Sequence, residues 1–158
     1  MFREMRRFRQ QLTEAECLDI LSGSMRGTLA LAGDDGYPYT VPIDYYYDRE
    51  NGNLYFHCAP EGHKIDSIRR SDKASFNVLS EGVREQGQWW LQFDSVTVFG
   101  RIRIVGDAGL KEKELTAIGG KYFPKERSVE EAVRNSIDRV CILELTPEHI
   151  TGKHVNEK

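Results

Sequence analysis

Tyr55-Phe56-His57-Cys58-Ala59-Pro60-Glu61-Gly62-His63-Lys64-Ile65-Asp66 reads as a short β-strand that passes through a tight turn into the first turn of a helix. Gly62, His63 and Lys64 fall where a helix presents backbone N–H groups that have no partner inside it. Free donors, the positive end of the helix dipole and a lysine together make an anion seat, above all for phosphate. The strand before the turn carries a histidine on one face. This combination predicts a phosphate-bearing cofactor, with its phosphate at the helix start and its body along the strand.

The flanking sequence supplies the rest of a β-rich fold. Thr13-Glu14-Ala15-Glu16 is a capping box that opens a helix ending near Gly23. Gly27 to Leu31 reads as a strand, and Asp34-Asp35-Gly36 as a hairpin turn. From Tyr37 to Asp48 the chain alternates: Tyr37, Tyr39, Val41, Ile43, Tyr45 and Tyr47 share one face. Pro38 and Pro42 lie on the other face. Proline cannot donate to a β ladder, so this strand sits at an edge or where pairing stops. Its free backbone groups are open to a partner chain or to a planar ligand with hydrogen-bonding edges; a plain edge strand explains the prolines equally well.

Leu54 to Cys58 is the next strand and His63 to about Ser71 a short helix. Ala74 to Leu79 is a strand, Ser80 to Gln88 a polar loop, and Trp90 to Val105 a long strand signal with Gly100 as a bulge or bend. Ala108 to about Tyr122 is helical, and Ser128-Val129-Glu130-Glu131 is a second capping box opening a helix to about Ser136. Val140 to Leu145 is a last strand, stopped by Pro147. The expected fold is mainly β: about six antiparallel strands with short flanking helices, one sheet curling on itself.

Composition limits the function classes. A length of 158 residues suits one domain, 1–158, with residues 1–11 as an N-terminal arm. The net charge of −3 argues against general nucleic-acid binding, which needs a basic face. Arg3, Arg6, Arg7 and Arg9 are the local exception, read as a solvated or partner-crossing arm. Cys17, Cys58 and Cys141 are odd in number and contain no C-x-x-C pair, a pattern of reducing compartments. With no apolar run near the roughly 20 residues that span a bilayer, and no apolar signal region, the expectation is a cytoplasmic protein without a membrane partner.

His57, Cys58 and His63 invite a zinc reading, but neighbours on a strand point to opposite faces and no fourth ligand has suitable spacing. No metal is expected. The same geometry removes a catalytic Cys–His pair. Cys58 continues the apolar face of Leu54 and Phe56 as a buried thiol. His57, on the opposite face, is either satisfied by backbone at the strand end or stands beside a bound ring as donor and proton source. Lys64 is either a solvated helix-face residue or a phosphate ligand.

Three segments resemble a known family: Gly36-Tyr37-Pro38-Tyr39-Thr40-Val41-Pro42-Ile43-Asp44-Tyr45, then Tyr55 to Ala59 with Glu61-Gly62-His63-Lys64, then Ser95-Val96-Thr97-Val98-Phe99-Gly100. With the closing Ile150-Thr151-Gly152-Lys153, they resemble the nitroimidazole-resistance (Nim-like) branch of the pyridoxamine 5′-phosphate oxidase-like flavoproteins. The resemblance spans about Leu12 to Lys153. It implies a split β-barrel, a homodimer and two FMN sites at the dimer interface. Thr40, Val41, Pro42 and Ile43 would then run under the isoalloxazine, and His57, Cys58 and Ala59 would border it. Gly62, His63 and Lys64 would hold the phosphate. Ser95 and Val96 would contribute near phosphate or ring, from the partner chain in one version, and Lys153 would approach the flavin.

The implied activity is FMN-dependent reduction of a nitro group on an imidazole or a related small aromatic substrate, with His57 as the catalytic proton donor. An anion seat of this kind accepts FMN or FAD, and the electron donor is not specified. A flavin carrier or sensor without turnover, and a haem-handling protein on the same barrel, are the alternative readings. The chain lacks the C-terminal pattern of the oxidase subgroup, so the resemblance does not extend to oxidation of pyridoxamine phosphate.

Overall fold

A computed structural model of the chain describes residues 1–125 and 128–156. Among the described residues, seven strands and four α-helices follow one another: α1 (Glu14–Gly23), β1 (Arg26–Ala32), β2 (Pro38–Asp44), β3 (Tyr46–Asp48), β4 (Asn53–Cys58), α2 (His63–Arg70), β5 (Lys73–Leu79), β6 (Phe93–Ile104), α3 (Ala108–Tyr122), α4 (Val129–Ser136) and β7 (Cys141–Val155). The strands form one antiparallel sheet in the order β2-β1-β5-β6-β7-β4-β3.

That order explains the curl. β2 and β3 occupy opposite ends of the sheet, yet only Tyr45 separates them in sequence. The two edges of the sheet must therefore meet at Tyr45, and the sheet closes into a half-barrel. The continuous strand expected from Tyr37 to Asp48 is thus two strands, which makes seven where six were expected. The break has a specific cause. The Tyr45 N–H donates to the Tyr122 hydroxyl at 2.8 Å, and the Tyr45 carbonyl accepts from Lys121 Nζ at 3.0 Å. Side chains at the end of α3 thus take the backbone groups that a neighbouring strand would otherwise pair. The Tyr122 hydroxyl also meets the carbonyl oxygen of Met25, and the Tyr45 hydroxyl donates to Leu21 O at 2.6 Å.

Lys121 is half-buried in this clasp, with Nζ 4.3 Å from the centroid of the Tyr45 ring, and burial lowers its pKa to about 8. Between that value and the ordinary lysine value of 10.5 the unfolded chain holds a proton that the folded chain has released. Stability from this group is therefore full above the upper value and is lost as pH falls towards 8. A Lys121→Met variant is expected to lose this rise in stability between pH 8 and 10.5, as read from denaturant midpoints of both proteins. Parallel slopes would remove Lys121 from the closure.

Inside the curl, Leu29, Phe56, Phe76, Val96, Val98, Leu143 and Leu145 form the main core. Phe56 and Phe76 meet edge to face at 5.1 Å, and Phe76 meets Tyr45 at 4.7 Å, the arrangement aromatic quadrupoles favour. A second cluster, with Tyr55, Val105, Leu115, Ile118, Val133 and Ile142, seats α3 and α4 on the outer face of β4 and β7.

Pro147 does not stop the last strand. β7 continues to Val155, and the register shifts opposite Phe99 and Gly100, so that Gly100 faces Pro147 while Phe99 faces His149. The proline sits at a bulge, where a missing N–H costs no ladder bond. A Cβ on Gly100 would lie 2.1 Å from Thr146 O, so this approach of two backbones admits only glycine. β6 begins at Phe93, three residues later than its sequence signal. The first capping box is complete, with Thr13 N–H donating to Glu16 Oε2 at 2.7 Å. At α4 the Glu131 N–H donates to Ser128 Oγ at 3.3 Å.

Candidate functional site

The seat at the start of α2 has the form read from the sequence. Gly62 is its N-cap, with φ 112° and ψ 178°, a backbone conformation nearly confined to glycine. A Cβ there would meet nothing within 4 Å, so conformation and not crowding requires the glycine. No side chain caps this helix start, and the first N–H to reach a carbonyl is that of Asp66, on Gly62 O at 3.1 Å. The N–H groups at the head of the helix are thus left for an outside acceptor.

Lys64 is half-buried and makes no ion pair among the described residues. Asp66, the acid of the same turn, lies 3.7 Å from Arg69. The His63 ring is already engaged: it stacks on Tyr39 of β2 at 3.9 Å, and its Nε2 lies 3.4 Å from Asp34 Oδ2. Arg70 holds the other oxygen of Asp34 at 2.5 Å, and that bond keeps Asp34 below the usual carboxylate value. The Asp34 turn is therefore tied to both ends of α2. What His63 can offer an anion is its backbone N–H.

The Tyr39–His63 stack sets β2 beside the head of α2, and β2 also lies against β4. Tyr39, the residue before Thr40, Val41, Pro42 and Ile43, therefore stands against the start of α2, and the strand that carries these four residues lies against β4. β2 is the terminal strand of the sheet, as its prolines suggest. Thr40 and Pro42 are exposed, while Val41 and Ile43 pack partly onto the core. His57 shares the outer face with Tyr55 and Ile142 but lies past the cover of α3 and α4; it is exposed and without a hydrogen-bond partner among the described residues. The backbone-satisfied histidine is therefore not what forms. Cys58 points inward and faces Cys141 directly across the β4–β7 ladder, and burial raises its thiol to about 11. Ala59 is exposed.

Ser95, Val96 and Lys153 are not gathered with these residues. Ser95 and Lys153 oppose each other where β6 begins and β7 ends, and Lys153 bridges Gln11 of the N-terminal arm. Val96 is fully buried, so its side chain is core and only its backbone is available. Sequence reading missed Asp34, Tyr39 and Arg70 as shapers of the seat. Arg70 follows His63 by two helical turns, a spacing that hints at a shared face, but Asp34 was legible only as a turn residue. Among the described residues no group of three His, Cys, Asp or Glu side chains is placed to hold a metal, and no helix is long and apolar enough to cross a membrane.

A curled antiparallel half-barrel with an open helix start against its edge strand defines the class. The chain belongs to the pyridoxamine 5′-phosphate oxidase family, whose family model matches residues 13–154. No curated protein matches it. Among solved structures it is similar to a candidate 5-nitroimidazole antibiotic resistance protein from Bacteroides thetaiotaomicron, at 19% identity over 91% of this chain and 86% of that one, with a TM-score of 0.76. It is also similar to an FAD-binding protein from Mesorhizobium loti, at 25% identity over 92% and 97% of the two chains, TM-score 0.65. A third similar structure is the FAD and heme binding protein from Mycobacterium smegmatis, at 20% identity over 93% and 74%, TM-score 0.74.

Proposed function

We propose that the chain binds FMN as a homodimer and reduces a small nitroaromatic compound of the nitroimidazole class. The observation that carries this reading is the uncapped start of α2, with Gly62 as N-cap and an unpaired Lys64, beside an exposed and unpartnered His57. Amides at a helix start and a free ammonium fit a phosphate group in both charge and hydrogen bonding. The FAD-binding neighbours support a flavin in general, and the nitroimidazole-resistance neighbour supports the substrate class.

The flavin, when bound, supplies the electron chemistry. The protein's part is then to hold and to protonate. His63 and Lys64 amides and Lys64 Nζ hold the phosphate. The edge backbone of Thr40 to Ile43 would face the ring system, with the backbone of Cys58 and Ala59 as its border. His57 delivers a proton to the nitro oxygen as it leaves as water. Reduction to the nitroso compound takes two electrons and two protons and releases one water; two further two-electron, two-proton steps, through the hydroxylamine, give the amine and release a second water. Ser95, Val96 and Lys153 belong to this site through the partner subunit in a dimer. The seat serves FAD equally well on its own chemistry, and the preference for FMN rests on the branch resemblance.

The test is the absorbance and flavin affinity of the purified protein. A yellow protein, or stoichiometric uptake of added FMN, is expected. Lys64→Ala is expected to weaken FMN binding by up to about 30-fold, the equivalent of the roughly 2 kcal/mol a partly buried charge at a helix start contributes. A colourless protein that takes up no flavin contradicts the reading, and a sharp Soret band favours haem, which the Mycobacterium smegmatis neighbour binds together with FAD.

A further inference from the structure

Away from α2, the N-terminal arm builds a second cavity. Its backbone is fixed: Gln10 N–H donates to Arg7 O at 2.9 Å, Gln11 N–H to Phe8 O at 3.1 Å, and Leu12 N–H to Gly152 O at 3.0 Å, which ties the arm to β7. The resulting single turn, Phe8–Gln10, turns Arg6, Arg7 and Arg9 towards one cavity of about 510 Å³. None of the three guanidinium groups has an ion pair among the described residues, although the chain as a whole carries a net charge of −3. Like charges gathered without a counter-charge repel, and an anion in the cavity relieves that repulsion.

The other walls are aromatic and polar. Phe8 and Trp89 line the cavity and are largely exposed, at 69% and 72%, so they offer ring faces without losing core packing. Gln10 also lines it. Its Nε2 donates to Asn156 O at 2.7 Å, which fixes the amide, while its Oε1 is buried without a partner. Guanidinium forks match phosphate, and exposed rings stack on a base. The volume lies within the range of small-molecule sites.

We infer that the arm cavity is a nucleotide site, with phosphate on Arg6, Arg7 and Arg9 and the base stacked against Trp89 and Phe8. The ligand is a free nucleotide or the nucleotide half of a nicotinamide dinucleotide; both bring a phosphate and a base. The site is separate from the α2 seat and stands whether or not that seat holds flavin.

Titration of the full chain at low salt, followed by tryptophan fluorescence, tests it. ADP is expected to quench saturably. The double substitution Arg6→Ala/Arg7→Ala is expected to lower ADP affinity at least tenfold while FMN uptake, measured in parallel, stays unchanged. NADPH binding tighter than ADP identifies a dinucleotide, and equal binding identifies the adenine nucleotide alone; either supports the site. No saturable signal with millimolar ADP or NADPH overturns the inference. So does affinity indifferent to the double substitution, or pyrophosphate binding as tightly as ADP.

Discussion

Alanine at position 57 is expected to lower turnover of a nitroaromatic substrate by about 10²–10⁴-fold, the usual contribution of a placed proton donor. Flavin content is expected to hold. The split follows from where His57 stands. Its ring is exposed, shares a face with Tyr55 and Ile142, and has no partner among the described residues. Truncation therefore removes no packed contact and no buried hydrogen bond, and a surface change of this sort shifts stability by only about 0.5 kcal/mol. The proposed phosphate contacts lie past the turn, on His63 and Lys64. Steady-state rates, flavin content and thermal midpoint of the variant separate the roles. A rate within twofold of the parent at full flavin content makes His57 a bystander. Loss of flavin together with rate makes it a binding residue.

Gly100→Ala is expected to destabilise the fold by about 3 kcal/mol, the upper end of the overpacking range. The obstacle is backbone: the added Cβ would meet Thr146 O at 2.1 Å, Thr146 C at 2.9 Å and Pro147 Cα at 3.0 Å. No rotamer change relieves such a clash; either the bulge opens or β6 and β7 part. These two strands share the longest ladder of the sheet, and their loss unseats the partners on both sides. At roughly 2–4 °C per kcal/mol for a chain of this size, the thermal midpoint falls by about 6–12 °C. Gly120→Ala in α3 is the matched control. Its Cβ would enter open space, and a helical glycine replaced by alanine gains about 0.5–1 kcal/mol. If both variants melt like the parent, the Gly100–Pro147 register is wrong.

What the sequence made legible was local. The capping box at Thr13, the start of α2 at Gly62 and the edge character of β2 each rest on chemistry confined to a few neighbouring residues, and each formed as expected. The bulge at Gly100 was visible as a glycine inside a β pattern. What escaped was set by distant partners. Tyr45 reads as one more member of an alternating strand, and nothing near it announces that Lys121 and Tyr122, 76 and 77 residues away, take its backbone groups. Pro147 reads as a stop, and only its partner Gly100 shows how a strand passes through it. The site divides in the same way. Gly62, Lys64 and His57 belong to one continuous segment and come together through it, whereas Asp34 and Tyr39 reach His63 only through the packing of β2 and its preceding turn onto α2. Ser95 and Lys153 pair with each other at the arm side of the sheet, away from the start of α2.

A crystal structure of the FMN-loaded protein tests the central claim most directly. It is predicted to place the phosphate within hydrogen-bonding distance of the His63 and Lys64 amides and of Lys64 Nζ, with the ring along Thr40 to Ile43. A flavin whose phosphate is held elsewhere, with the start of α2 left to solvent, contradicts it.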